Sequence, residues 1–133
     1  MLLAAMWAEG QTGTAPKVNF CNVVASPSDY NRKALSVEVI RWPSDHSLSL
    51  YGATCVPKEG YDVTTQAILP AAWESLPNGK KLRKFLHRGK SASVKLVGTF
   101  EGDAHRYGPD GARFRFVISE ISSVEKAPPD VHP

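Results

Sequence analysis

The sequence predicts a small all-β domain: a five-stranded barrel with one short helix between its third and fourth strands. Three observations predict it. Segments 35–39, 92–100 and 114–118 alternate apolar and polar residues with a period of two, the pattern of half-buried strands. Clusters of turn-forming residues separate the strand-like segments, as in "WPSDHS", "VPKEG" and "DAHRYGPDG". Only the stretch from Asn78 to Gly89 carries a well-formed helical stripe, made of Leu82, Phe85 and Leu86 at i, i+3 and i+4.

The elements follow in order. "TAPKVNFCNVVASPSDYNRKA" begins extended and then allows a helical turn from Cys21 to Ala25, which Pro27 and the polar residues after it are expected to end. In "ALSVEVIR", Leu35, Val37 and Val39 share one face and Ser36 and Glu38 the other. Pro43, Ser44 and Asp45 turn the chain, and "LSLYGATC" resumes the alternation with Leu48 and Leu50 inward, completing a hairpin. The β-branched Val63, Thr64 and Thr65 mark a third strand in "YDVTTQAIL", ended by Pro70. Asn78 is the expected N-cap of the helix and Gly89 its C′ residue.

The fourth strand places Ala92, Val94, Leu96, Gly98 and Phe100 on one face, and Gly98 fits a bend or bulge where a small sheet curls on itself. The fifth strand turns Phe114, Phe116 and Ile118 inward; Ile121 and Val124 break that phase, which predicts a bulge near Glu120. A five-stranded Greek-key barrel with its helix between strands 3 and 4 is the OB-fold. The helix is expected to plug one open end. A six-strand sandwich or a flat α+β sheet is the alternative. The expected organisation is a leader remnant or disordered N-terminus over 1–16, the OB-fold-like barrel over 17–126, and a Pro-rich disordered tail over 127–133.

The chain has 133 residues, enough for about one domain, and its 16 basic against 13 acidic residues give a net charge of +3. That excess permits weak attraction to anions and falls short of the concentrated charge of a dedicated nucleic-acid binder. The apolar run Leu2–Ala8, followed by the small residues Ala8 and Gly10, resembles the end of a secretory signal without its basic start, so the first Met is expected to be internal to a longer leader. Export, secreted or periplasmic, is the expected location, and the cytoplasm is the alternative. No stretch approaches the ~20 apolar residues of a membrane-spanning helix. In an exported chain the pair Cys21 and Cys55 predicts a disulfide; in a cytosolic one they are two buried thiols.

The segments "CNVVASPSDYNRKALSVEVI", "LYGATC", "VKLVGTFEG" and "YGPDGARFRFVISEISSVE" resemble a family of small exported bacterial proteins of unknown function. The shared pattern is a Cys opening a short helix, a Val-rich strand, a Leu-Tyr-x-x-Cys segment, a Val-x-Gly-x-Phe strand and a Tyr-Gly loop before the last strand. The resemblance runs over about residues 18 to 125 and departs from the pattern at Ser26-Pro27 and Pro109-Asp110. It implies an OB-like fold, export and a role for Cys21 and Cys55 as the matching cysteines; it names no reaction.

OB-folds bind on strands 2 and 3, flanked by the loops between strands 1 and 2 and between strands 4 and 5. Here those loops and the adjoining strand carry Trp42, His46, Tyr51, His105, Arg106 and Tyr107, the candidate ligand-binding residues. The expected partner is a protein, glycan or small ligand. The alternative is single-stranded nucleic acid, bound by the basic helix and the barrel face, with Lys80, Lys81, Lys84, Arg88 and Lys90 as the anion-binding residues. Most of those cations are also explained as the solvated face of an amphipathic helix, with late basic residues complementing its dipole. No Ser or Cys nucleophile stands in an elbow motif, no His-x-x-x-His metal spacing appears and no glycine-rich phosphate loop opens a helix, so neither catalysis, metal nor cofactor is expected.

Overall fold

The alternation in the sequence becomes a closed barrel. The computed structural model describes residues 15–42, 48–55, 62–103, 106–108 and 111–128, with backbone alone at 42 and 48. Two short helices, α1 (Phe20–Ala25) and α2 (Pro27–Tyr30), precede β1 (Ala34–Trp42), β2 (Leu48–Tyr51) and β3 (Thr65–Ile68). A 3-10 turn (Trp73–Ser75) and α3 (Gly79–His87) lead to β4 (Ala92–Glu101) and β5 (Phe114–Lys126). The strands are ordered β1-β2-β3-β5-β4, with β4 pairing back to β1. β3 and β5 run parallel and the other neighbours antiparallel. This is the OB-fold-like barrel that the sequence predicts, with its helix in the expected place.

The barrel is steeply staggered. Partners followed from Ala92 pass through Arg41, Leu50 and Thr65 to Phe114, and the next residue, Arg115, pairs with Glu101 at the opposite end of β4. One circuit therefore climbs the length of a strand. That climb sets the β1–β2 loop and the β4–β5 loop at opposite ends of the surface formed by β2 and β3. Leu35, Val37, Val39, Leu50, Leu96, Phe100 and Phe116 fill the interior, where Phe100 and Phe116 are wholly buried.

Two bulges bend β5. Its pairing with β4 skips Ser119 between Ile118 and Glu120, and skips Ser122 between Ile121 and Ser123. Each extra residue shifts the inward phase by one, which is how Ile118, Ile121 and Val124 all face the core. The sequence predicts one irregularity near Glu120; the barrel has one on either side of it. Gly98 sits opposite the first, and a Cβ there would press on the Val117 carbonyl and the Phe116 ring.

α3 closes the barrel with Leu82 buried and Phe85 and Leu86 packed against the core at half burial. Its C-terminus is a Schellman motif: Gly89 is left-handed, its N–H donates to Leu86, and the Lys90 N–H donates to Phe85. At the other end Asn78 holds the N-cap position but does not cap. Its φ is 68°, and its side chain makes no capping bond.

Three boundaries differ from expectation. Pro27 opens a second helical turn rather than only ending the first, because proline suits the first position of a helix. The β3 ladder begins at Thr65, so the β-branched Val63 and Thr64 precede it, with Asp62 accepting both the N–H and the hydroxyl of Thr64. At the far end Ala127, placed in the tail by the sequence, is buried and donates its N–H to Ser91.

The cysteines are joined. Cys21 and Cys55 form a disulfide across 5.6 Å between Cα atoms, tying α1 to the segment after β2. Among the described residues no helix is long and apolar enough to cross a membrane.

Candidate functional site

Period-two geometry turns Ser49, Tyr51 and Gln66 to the outside of β2 and β3, in register with Trp42, Ile40 and Arg115 respectively. The β4–β5 loop folds back over one end of this surface. Tyr107 and Ala112 exchange backbone hydrogen bonds of 2.9 and 2.8 Å, making a small hairpin whose Gly108 lies against the Gln66 side chain. Gly108 is left-handed, and that conformation favours glycine.

Several polar side chains fix that loop. Arg106 pairs with Asp62 before β3 and also donates to the Gly111 carbonyl. The Tyr107 hydroxyl donates to Asp103 at 3.1 Å, while the Arg115 guanidinium lies over the Tyr107 ring, 4.8 Å from its centre. Arg115 is in turn paired with Glu101. Just after α2, the Asn31 side chain accepts the Gly102 N–H at 2.9 Å, and Arg32 reaches Asp103 at 3.0 Å. The Arg106 hydrogen bond, aided by Thr64, holds the Asp62 carboxyl below its ordinary pKa against the opposing effect of burial. Asp103 is lowered as well, first by the Asn31 and Tyr107 hydrogen bonds and then by the charge of Arg32.

The residues predicted from sequence are thus divided. Arg106 remains half-exposed within its ion pair, and Tyr51 is half-buried on the outer face of β2. Tyr107 is buried and anchors the hairpin. Trp42 ends β1, but its side chain lies outside the described residues, as do His46 and His105. The β4–β5 loop meets the start of β3, and its root is separated from that of the β1–β2 loop by most of the barrel's height.

The basic residues form a second surface. Lys80, Lys81, Lys84 and Arg88 line a broad open cleft with Glu74, Leu76, Asn78 and Phe85. Arg83, on the same helix, pairs with Glu74 at 3.0 Å. Among the described residues none of those four cations is in an ion pair, and Lys90 lies beyond the helix, in the residues that close its Schellman motif. A third concavity, of about 440 Å³, follows the disulfide, between Phe20, Cys21, Ile40, Gly52, Thr54 and Pro128.

One residue escapes the sequence reading altogether. Arg41 continues the inward series of Leu35, Val37 and Val39, and its cross-strand partners, Leu50 and Ala92, both face the core. Its side chain is therefore directed inward at the rim, and only 6% of the residue is exposed. Among the described residues its Nε and Nη1 have no hydrogen-bond acceptor. Burial lowers the guanidinium pKa from its ordinary value. Extending the alternation of β1 by one step is the signal that finds it.

Among the described residues no cluster of three His, Cys, Asp or Glu side chains gathers to hold a metal ion. No protein-family model matches the chain, and no curated protein matches it.

Proposed function

We propose that the chain is an exported binding or interaction module whose ligand lies on the outer face of β2 and β3, between the β1–β2 and β4–β5 loops. The observation that carries this reading is the anchoring of the β4–β5 loop by Asp62, Asp103, Asn31, Arg32 and Arg115. Loop residues fastened to a rigid barrel lose little conformational freedom on binding, which is what a recognition loop requires. Arg106 and Tyr51 are the groups it presents with the strands, and Trp42, His46 and His105 are assigned to the same surface from the sequence. Tyr107 serves as the anchor beneath. The Cys21–Cys55 disulfide supports export, since such bonds persist in oxidising compartments. So does the resemblance to exported bacterial proteins. The ligand is a protein segment, glycan or small molecule, and the module is not assigned a reaction.

The cleft of Lys80, Lys81, Lys84 and Arg88 favours a second reading, single-stranded nucleic-acid binding, because four cations there lack carboxylate partners among the described residues. Salt separates the two. Binding dominated by phosphate contacts weakens steeply as salt rises, whereas a loop-anchored contact does not. Backbone amide resonances followed during titration with an oligosaccharide panel and with a single-stranded oligonucleotide, each at two salt concentrations, test the assignment. Shifts at Ser49, Tyr51, Gln66 and Arg106 that persist in salt are expected. Tight, salt-sensitive oligonucleotide binding centred on α3 would replace the first reading with the second.

A further inference from the structure

Arg41 is a buried charge whose Nε and Nη1 meet no acceptor among the described residues. An arginine keeps its proton inside proteins, so burial does not neutralise it. A buried cation without an acceptor is among the least favourable arrangements in a folded chain, and an anion is its remedy. The row that contains Arg41 holds a second cation. Ala92 pairs with Arg41 on one side and with Lys126 on the other, so all three occupy the same inward phase of the barrel wall. Only the Ala92 methyl intervenes, and two strand spacings, about 10 Å, separate the backbones of the two cations. Lys126 is exposed at the rim, while Arg41 lies deeper beside Leu50.

We infer that Arg41, with Lys126 at its mouth, forms an oxyanion site at the β1–β2 end of the barrel, taking the carboxylate or phosphate group of a small ligand. The apolar neighbours Leu50 and Ala92 limit the bound part to a small headgroup. The guanidinium supplies donors for its oxygens, and Lys126 supplies long-range attraction. This site is on the inward row of the wall and is separate from the outer face of β2 and β3, so either stands if the other fails.

The test is thermal unfolding of the full chain with its disulfide intact, in inorganic phosphate or acetate against chloride at constant ionic strength. The expected result is a saturable rise of several degrees in one or both anions, lost in Arg41→Met and weakened in Lys126→Met. Lys80→Ser/Lys84→Ser should keep it. Response to phosphate alone or to acetate alone identifies the headgroup. An equal rise in Arg41→Met would overturn the site, as would an absent rise together with destabilisation by Asp45→Asn, which would mark an internal carboxylate as the partner. If Arg41→Met does not fold, the Arg41 Nε–H resonance of the unaltered protein decides: a saturable shift with phosphate or acetate supports the site, and an unchanged signal in both removes it.

Discussion

Asn78 and Ile121, 43 residues apart in sequence, are joined by a 3.0 Å hydrogen bond from the Asn78 amide to the Ile121 carbonyl, and the same amide reaches the Ser122 carbonyl at 3.0 Å. The start of the plugging helix is thereby fastened to the second bulge of β5, where the ladder with β4 is interrupted. Asn78 combines a left-handed backbone with two donated bonds. Asn78→Gly keeps the backbone and loses the bonds; Asn78→Asp keeps the shape but presents an acceptor to two carbonyls. The expected order of stability is wild type, then Gly, then Asp. Loss of hydrogen bonds of this kind costs about 0.5–1.5 kcal/mol each, and urea unfolding measures the order.

Gly98 should be equally intolerant for a different reason. Its backbone is not left-handed, so only space forbids a side chain: a Cβ would overlap the Val117 carbonyl and the Phe116 ring at the first bulge. Gly98→Ala is expected to cost about 1–3 kcal/mol through overpacking. A midpoint in urea equal to that of the wild type would show that the bulge yields to the methyl group.

Much of this architecture is legible in the sequence, and the limits have physical causes. A strand shows its phase directly, so the inward residues of β1 and β4 follow from alternation. The bulges of β5 can also be counted: Ile118 to Ile121 and Ile121 to Val124 are odd steps between residues of the same face, and each odd step needs one extra residue. The site is less legible because its contacts are long-range. Nothing local to Arg106 points to Asp62, 44 residues before it, since that meeting depends on the stagger of the whole barrel. Asn78 illustrates a third case, where the residue type that favours an N-cap is used to brace a bulge instead.

Acid should loosen the β4–β5 loop before the barrel. Asp62 and Asp103 both have pKa values lowered in the folded state. The stability they confer is complete above the unfolded pKa, about 3.9, and is lost as pH falls from there through the lower folded value. In wild type the hydrogen-bonded amides of Tyr107 and Ala112 should therefore lose exchange protection as the pH drops below about 4. For the half-exposed Arg106–Asp62 pair the change is small, at most about 1 kcal/mol. In Asp62→Asn the acid-dependent part should flatten and the curves should converge near pH 2; parallel curves would mean that other carboxylates govern the loss.

The disulfide and Gly52 should behave as a unit. Gly52 lies against both sulfur atoms, and a Cβ there would overlap Cys21 Sγ and Cys55 Sγ. Gly52→Ala in the oxidised protein is expected to destabilise by about 1–3 kcal/mol as the crowded bond is displaced. Removing the bond in Cys21→Ala/Cys55→Ala should cost about 2–4 kcal/mol through the freedom returned to the unfolded chain. In that background the sulfurs are gone, so adding Gly52→Ala should cost little more. The coupling, read from a thermodynamic cycle of the four proteins by urea unfolding, should thus be strong and of the sign that relieves strain. Additive losses would instead place the cost of Gly52→Ala in the turn between Gly52 and Cys55, independent of the bond it shelters.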